Sequence, residues 1–183
     1  MTFINIHNHT HFSLLDALSR PKQLAQFAKK NNQSAIAITD HGNLYAACKF
    51  FKACKSEGVK PIIGCEFYVS KDRFIKDSTN RYCNTILLYA KNHQGYLNLI
   101  ELVSKSYLEG FYYVPRIDRK LLSGHTEGLV CVSGGIQSEL SESILSENDD
   151  KTADCIDFYT QNFDEYFLEI LPESTHDKQK MVN

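Results

Sequence analysis

Apolar residues recur along this chain in two rhythms. Residues 3–6 place Ile4 and Ile6 two apart and predict a first short strand. Residues 35–39, 61–69, 85–90, 128–133 and 166–171 are compact apolar runs that predict further strands. Between them the spacing turns helical. Leu24, Phe27 and Ala28 mark one helix, and Leu44, Ala47, Phe51 and Cys54 a second. Tyr96, Leu99, Ile100 and Val103 mark a third, and two more follow around 139–145 and 152–163. Ser19 is placed to cap the first helix with Pro21 in its first turn, and Asn43 to cap the second, which Gly58 stops. Residues 71–81 are polar and predict a loop.

Short apolar strands alternating with amphipathic helices predict parallel β-α units, hence an α/β fold with helices covering its sheet. Such sheets place their chemistry at the carboxyl ends of strands. No internal repeat or low-complexity segment interrupts the pattern. Residues 180–183 fall inside a further helical stretch with no visible cap. The chain is therefore expected to belong to a longer protein, with the domain spanning 1–183 and continuing beyond it.

Composition narrows the classes. With 183 residues, 43% hydrophobic and 23% charged, the chain can bury a core and is neither disordered nor fibrous. No apolar run approaches the ~20 residues needed to span a bilayer. A formal charge of −2 excludes a strongly basic nucleic-acid-coating protein. The start, Met1-Thr2-Phe3-Ile4-Asn5, lacks the features of a secretory signal. The six cysteines include no C-x-x-C pair and sit mostly in apolar segments, so reduced thiols in a cytoplasm are expected.

Metal-type ligands cluster at the predicted strand ends. His7 and His9 follow the first strand, His41 follows the second, and Glu66 lies on the third. Asp16 sits in the turn before the first helix. His7 and His9, two apart, point to one side of an extended segment. Three imidazoles and two carboxylates suit zinc, manganese or iron. Two neighbouring ions would clamp a phosphoryl group and activate water. Single histidines at strand ends are usually structural, so the weight rests on five candidates reaching one end of a sheet. His11 is a weaker extra candidate, while His93, His125 and His176 read as solvated. Asp40 could accept from the His41 imidazole or satisfy nearby backbone donors. Phe111-Tyr112-Tyr113 with Arg116, Arg119 and Lys120 forms an aromatic-basic cluster of the kind that stacks bases, though a packed loop is favoured. The stripe of Lys49, Lys52 and Lys55 reads as a solvated face.

His7-Asn8-His9-Thr10, Ser13-Leu14-Leu15-Asp16, Thr39-Asp40-His41-Gly42-Asn43-Leu44 and Pro61-Ile62-Ile63-Gly64-Cys65-Glu66 together resemble the PHP (polymerase and histidinol phosphatase) domain. The closer likeness is to the N-terminal PHP domain of bacterial DNA polymerase III alpha subunits. It is carried by Ser19-Arg20-Pro21-Lys22-Gln23-Leu24, by residues 108–118 and by residues 127–134. The resemblance implies a distorted β/α barrel, incomplete here, around a cluster of up to three metal ions. It implies His7, His9, Asp16, His41 and Glu66 as ligands of zinc or manganese. It also implies an eroded second half. Thr85, or Asn84 with a shift of one, stands where the family commonly has a histidine, and Gly135 stands for a cysteine. A final Asp-x-His would lie past Asn183, so occupancy of the site is expected to be reduced or lost.

The same resemblance implies a place in a DNA-directed DNA polymerase of chromosomal replication. Polymerization, and with it contact with DNA, would reside in other domains. Phosphoester hydrolysis could persist in this one. The implied partners are the proofreading exonuclease subunit and other replicase subunits, with no membrane. The alternative is a free-standing PHP phosphatase acting on a small phosphoester, against which Glu109-Gly110-Phe111-Tyr112-Tyr113 argues.

Overall fold

The computed structural model describes residues 3–170. They divide into two compact units, with the boundary between Glu66 and Phe67. The first holds α1 (Pro21–Lys30), β1 (Ala35–Ile38), α2 (Ala47–Glu57) and the start of β2 (Lys60–Val69). β1 and β2 pair in parallel with a constant offset, Ala35 opposite Lys60 and Ile38 opposite Ile63. β1 is buried along its whole length, which is why it reads as an unbroken apolar run. Ala25 and Ala28 of α1, Ile36 and Ile38 of β1, and Phe50 and Cys54 of α2 form the core, with Phe12, Leu24 and Ile63 against it.

Three local expectations are corrected in this unit. Residues 3–6 form no strand. The carbonyls of Asn5 and Asn8 accept from the N–H groups of Ala37 and Thr39 at 3.0 and 2.8 Å. The return bonds of a ladder are diverted to side chains: the Asn5 N–H donates to Gln33 Oε1 and the Asn8 N–H to Thr39 Oγ1. The segment therefore runs beside β1 held by both backbone and side-chain hydrogen bonds. Ser19 does not cap α1, because Arg20 occupies that position and Gln23 Oε1 accepts its N–H at 2.9 Å. Asn43 does not cap α2 either. Its side-chain oxygen accepts from the Tyr45 N–H at 3.1 Å in a tight turn, and the helix starts only at Ala47. Within it Ala47, Phe50 and Cys54 form the buried face, so Phe50 rather than Phe51 is in the core. Gly58 does end α2, in the left-handed conformation with φ 72°.

The second unit carries the rest of β2, then β3 (Asn84–Ala90), α3 (His93–Leu108), β4 (Arg116–Ile117) and α4 (Arg119–Ser123). β5 (Leu129–Val132), α5 (Glu139–Leu145), α6 (Asp149–Asn162) and β6 (Tyr166–Phe167) complete it. β4 pairs in parallel with Tyr68 and Val69 of β2, and β6 in parallel with β5. β3 and β5, however, are antiparallel, Leu87 opposite Val132 and Ala90 opposite Leu129. The uniformly parallel expectation fails at this pair, since apolar spacing sets burial but not the direction in which a strand runs, and β4 and α4 are too short to show in the apolar rhythm. The strand pairings of this unit are thus both parallel and antiparallel. Leu171 and the helix expected around 180–183 lie outside the described residues.

Arg116 reads in the sequence as part of a surface cluster, yet it is completely buried. Its guanidinium donates to the carbonyls of Gly110, Asn80, Arg73 and Ile75 at 2.7–3.0 Å and lies against the Tyr112 ring. Arg119 is likewise engaged, with Glu139 and Asp154. The planar five-donor fork suits Arg116 to gathering several carbonyls at once. His125 also departs from expectation. It is half-buried, its Nδ1 2.8 Å from the Leu121 carbonyl and its Nε2 3.2 Å from Glu101.

All six thiols are free. Burial pushes the Cys54 thiol up to about 11 and the Cys155 thiol up to about 12, and it raises Cys65 and Cys131 as well. A raised thiol pKa leaves little thiolate at pH 8, and thiolate is the nucleophile. Exposed Cys48 should therefore alkylate first in the native protein, with Cys54, Cys65, Cys131 and Cys155 protected until unfolding. Mass spectrometry of iodoacetamide-treated protein checks this. Rapid labelling of all six under native conditions would contradict the described core.

Candidate metal centre

The site lies wholly in the first unit and follows from strand register. The offset that sets Ile38 opposite Ile63 sets His41 opposite Glu66, and these two form an isolated parallel bridge just past the β1–β2 ladder. The Glu66 N–H donates to the Asp40 carbonyl at 3.2 Å and the Gly42 N–H to the Glu66 carbonyl at 2.7 Å. On the opposite edge of β1 the segment that runs beside it delivers His7 and His9. Three adjacent lines of chain thus end together, as chemistry at carboxyl ends requires.

Two groups of donors result. His7 Nε2 and His9 Nε2 lie 3.2 and 2.7 Å from Glu66 Oε2. His9 Nδ1 and His41 Nε2 lie 2.9 and 3.2 Å from Asp16 Oδ2. Within each of the triads His7/His9/Glu66 and His9/Asp16/His41 the donor atoms are all within 4.8 Å of one another. His9 belongs to both, presenting a different ring nitrogen to each. His41 Nδ1 is also 3.4 Å from Glu66 Oε2. All five residues singled out by sequence are therefore gathered in one place. His11 stands apart from both triads, its ring against Phe12 at 4.3 Å between centroids.

The electrostatics favour a cation. Burial pushes the Glu66 carboxyl up, but hydrogen bonds from His7 and His9 and the charge of His41 outweigh it and hold the group well below the usual carboxylate range. Glu66 is 4% exposed and is thus an ionized carboxylate in a largely desolvated place. Asp16, by contrast, is half exposed on a loop that turns at Ser13, whose carbonyl accepts the Asp16 N–H at 3.1 Å. Imidazoles and carboxylates in this mixture are the donor set of zinc and manganese, and the residues present fit such an ion.

Asp40 does not face outward with the five. Its carboxylate accepts from the Thr10 N–H and both the Thr10 and Ser13 hydroxyls at 2.6–2.8 Å. Of the sequence alternatives, the local donors claim it. Thr10 and Ser13 were not singled out from sequence. Both stand in the motifs that carry the resemblance, but nothing in the sequence gives either a role beyond two small hydroxyls in a ligand-bearing loop.

In the second unit, Thr85, for which the resemblance implies a histidine, lies against Gly134, the neighbour of Gly135, for which it implies a cysteine. The Thr85 hydroxyl donates to the Gly134 carbonyl at 3.3 Å, and a Cβ on Gly134 would sit 2.6 Å from the Thr85 carbonyl oxygen. Gly135 follows at φ 64°, a conformation that a cysteine would adopt only under strain.

The PHP domain model matches residues 5–172. DNA polymerase III subunit alpha of Chlamydia trachomatis is 41% identical over 97% of the chain, and that of Treponema pallidum 40% identical over 100% of the chain. The Borreliella burgdorferi subunit is 42% identical over 99%. The chain spans only 15–16% of the length of these relatives. A solved structure from Bifidobacterium adolescentis, assigned only provisionally as a metal-dependent phosphoesterase, shares the fold. It has a TM-score of 0.59 at 14% identity, covering 98% of this chain and 81% of that one.

Proposed function

Because the chain belongs to the PHP domain family, we propose that it is the PHP module of a bacterial replicative DNA polymerase alpha subunit, that it binds divalent metal, and that it serves mainly as scaffold and docking surface. The observation that carries the identity is the 40–42% identity to alpha subunits over almost the whole chain. In this reading DNA synthesis belongs to the parts of the relatives that this chain does not span. The module would continue past residue 183 and would help to seat the proofreading exonuclease subunit. No described helix is long and apolar enough to cross a membrane.

His7, His9 and Glu66 would hold one ion and Asp16 and His41 would favour a second, with His9 contributing to either. Zinc or manganese bound there would polarize a phosphoryl oxygen and acidify a bound water. What the chain itself offers for turnover is incomplete. The Thr85 hydroxyl is engaged by the Gly134 carbonyl, and Gly135 has no side chain with which to bind. We therefore expect metal binding with little or no phosphoester turnover. Hydrolysis of a generic phosphoester with added manganese or zinc should be near background, and a His7→Ala, His41→Ala double substitution should not change it. Robust metal-dependent hydrolysis lost in the double variant would replace the scaffold role with an enzymatic one. Docking is tested separately: an alpha subunit lacking residues 1–183 should lose affinity for the exonuclease subunit, and unchanged affinity would remove that part of the proposal.

A further inference from the structure

Asp40 is 1% exposed, and it is the point where all the ligand-bearing segments are fastened together. Its Oδ1 accepts from the Thr10 N–H at 2.6 Å and the Ser13 hydroxyl at 2.7 Å, and its Oδ2 from the Thr10 hydroxyl at 2.8 Å. The Ser13 hydroxyl oxygen in turn accepts the His41 N–H at 3.1 Å, and the Ser13 carbonyl accepts the Asp16 N–H. At its other end, the Asp40 backbone carbonyl accepts the Glu66 N–H at 3.2 Å and the Cys65 thiol at 3.3 Å. Thr10 directly follows His9, and His41 directly follows Asp40. One residue thus ties His9, Asp16, His41 and Glu66 into a single frame, touching each through a neighbour or a main-chain group.

We propose that Asp40 is a positioning residue for the metal centre, acting through the Thr10 and Ser13 hydroxyls on the loop that carries His9 and Asp16. This rests on the metal-binding reading and adds to it a dependence that no ligand by itself supplies. A buried carboxylate is costly unless its oxygens are matched by donors, so the observed matching makes the loop's path highly determined. A ligand set held on a loop binds an ion well only if that path is kept, and partners behind ligands typically account for 10–100-fold in affinity. Asp40→Asn keeps size and one oxygen, removes the charge, and turns an amide toward the Thr10 hydroxyl. Ser13→Ala removes the link from Asp40 to the His41 backbone while leaving every ligand in place.

The test is manganese affinity by electron paramagnetic resonance titration of the whole chain, alongside the thermal midpoint of the metal-free protein. Asp40→Asn and Ser13→Ala should each weaken manganese binding about 10–100-fold. A double-mutant cycle separates positioning from general loosening. In an Asp16→Ala background the Asp40→Asn penalty should shrink, because one of the two ligands on that loop is already gone while His9 remains; a merely destabilizing substitution would keep its full penalty there. Folded Asp40→Asn and Ser13→Ala variants with affinity within twofold of wild type would overturn the proposal while leaving the metal site standing. An undiminished Asp40→Asn penalty in the Asp16→Ala background would also overturn it. A wild-type chain that takes up no manganese or zinc would overturn the metal reading itself, and the proposal with it.

Discussion

Replacing His9 with alanine should abolish specific metal retention, a larger loss than removing any other single histidine of the site. His9 alone contributes to both triads, through Nε2 toward Glu66 at 2.7 Å and Nδ1 toward Asp16 at 2.9 Å. His7→Ala damages only the triad with Glu66, and Asp16→Ala only the triad with His41. We expect His9→Ala to lower zinc or manganese affinity by more than about 100-fold, beyond the 10–100-fold typical of partners behind a ligand. His7→Ala and Asp16→Ala should each leave measurable residual binding. Calorimetric titration of the three variants checks the order. Equal losses in His9→Ala and His7→Ala would show that the second triad holds nothing.

The second large effect is on stability. Arg116→Met removes a guanidinium that donates to four backbone carbonyls at a completely buried position. Methionine fills comparable space but donates nothing, so the Gly110, Asn80, Arg73 and Ile75 carbonyls lose a shared donor. Each buried acceptor left unmatched costs about 1–3 kcal/mol. The Ile75 carbonyl keeps the Asn80 side-chain amide at 3.2 Å; even if one of the other three finds water, the loss should be about 3 kcal/mol, at the upper end of what single substitutions do. Urea unfolding of the chain measures it. Arg116→Lys, with one charged centre in place of the fork, should fall between wild type and methionine. A change below about 0.5 kcal/mol for Arg116→Met, the size of an ordinary surface substitution, would mean that the loop of residues 73–80 does not depend on this anchor.

The contrast between these two sites marks what the sequence discloses. The five clustered residues are legible because parity and strand ends are local properties. His7 and His9, two apart, must share a side, and His41 follows an unmistakable apolar strand. The opposition of His41 to Glu66 is a matter of register, which no spacing within either strand reveals. Arg116 is illegible for a different reason. An arginine beside tyrosines reads as surface chemistry, and only the Gly110 carbonyl together with the return of residues 73–80 over it makes burial tolerable. Residues 3–6 show the same limit on a smaller scale. Their alternation is real, but a strand also needs free N–H groups, and the Gln33 and Thr39 side chains take those of Asn5 and Asn8. The antiparallel β3–β5 pair is hidden because the direction of a strand is not written in its apolar spacing.

Anomalous diffraction from crystals of this chain grown with manganese or zinc tests the central claim most directly. We expect a peak about 2.0–2.2 Å from His7, His9 and Glu66 donor atoms, the bond length usual for such ligands with zinc. A second, weaker peak is expected beside Asp16 and His41. No peak within reach of His9, with ions found only at scattered surface carboxylates, would contradict the account.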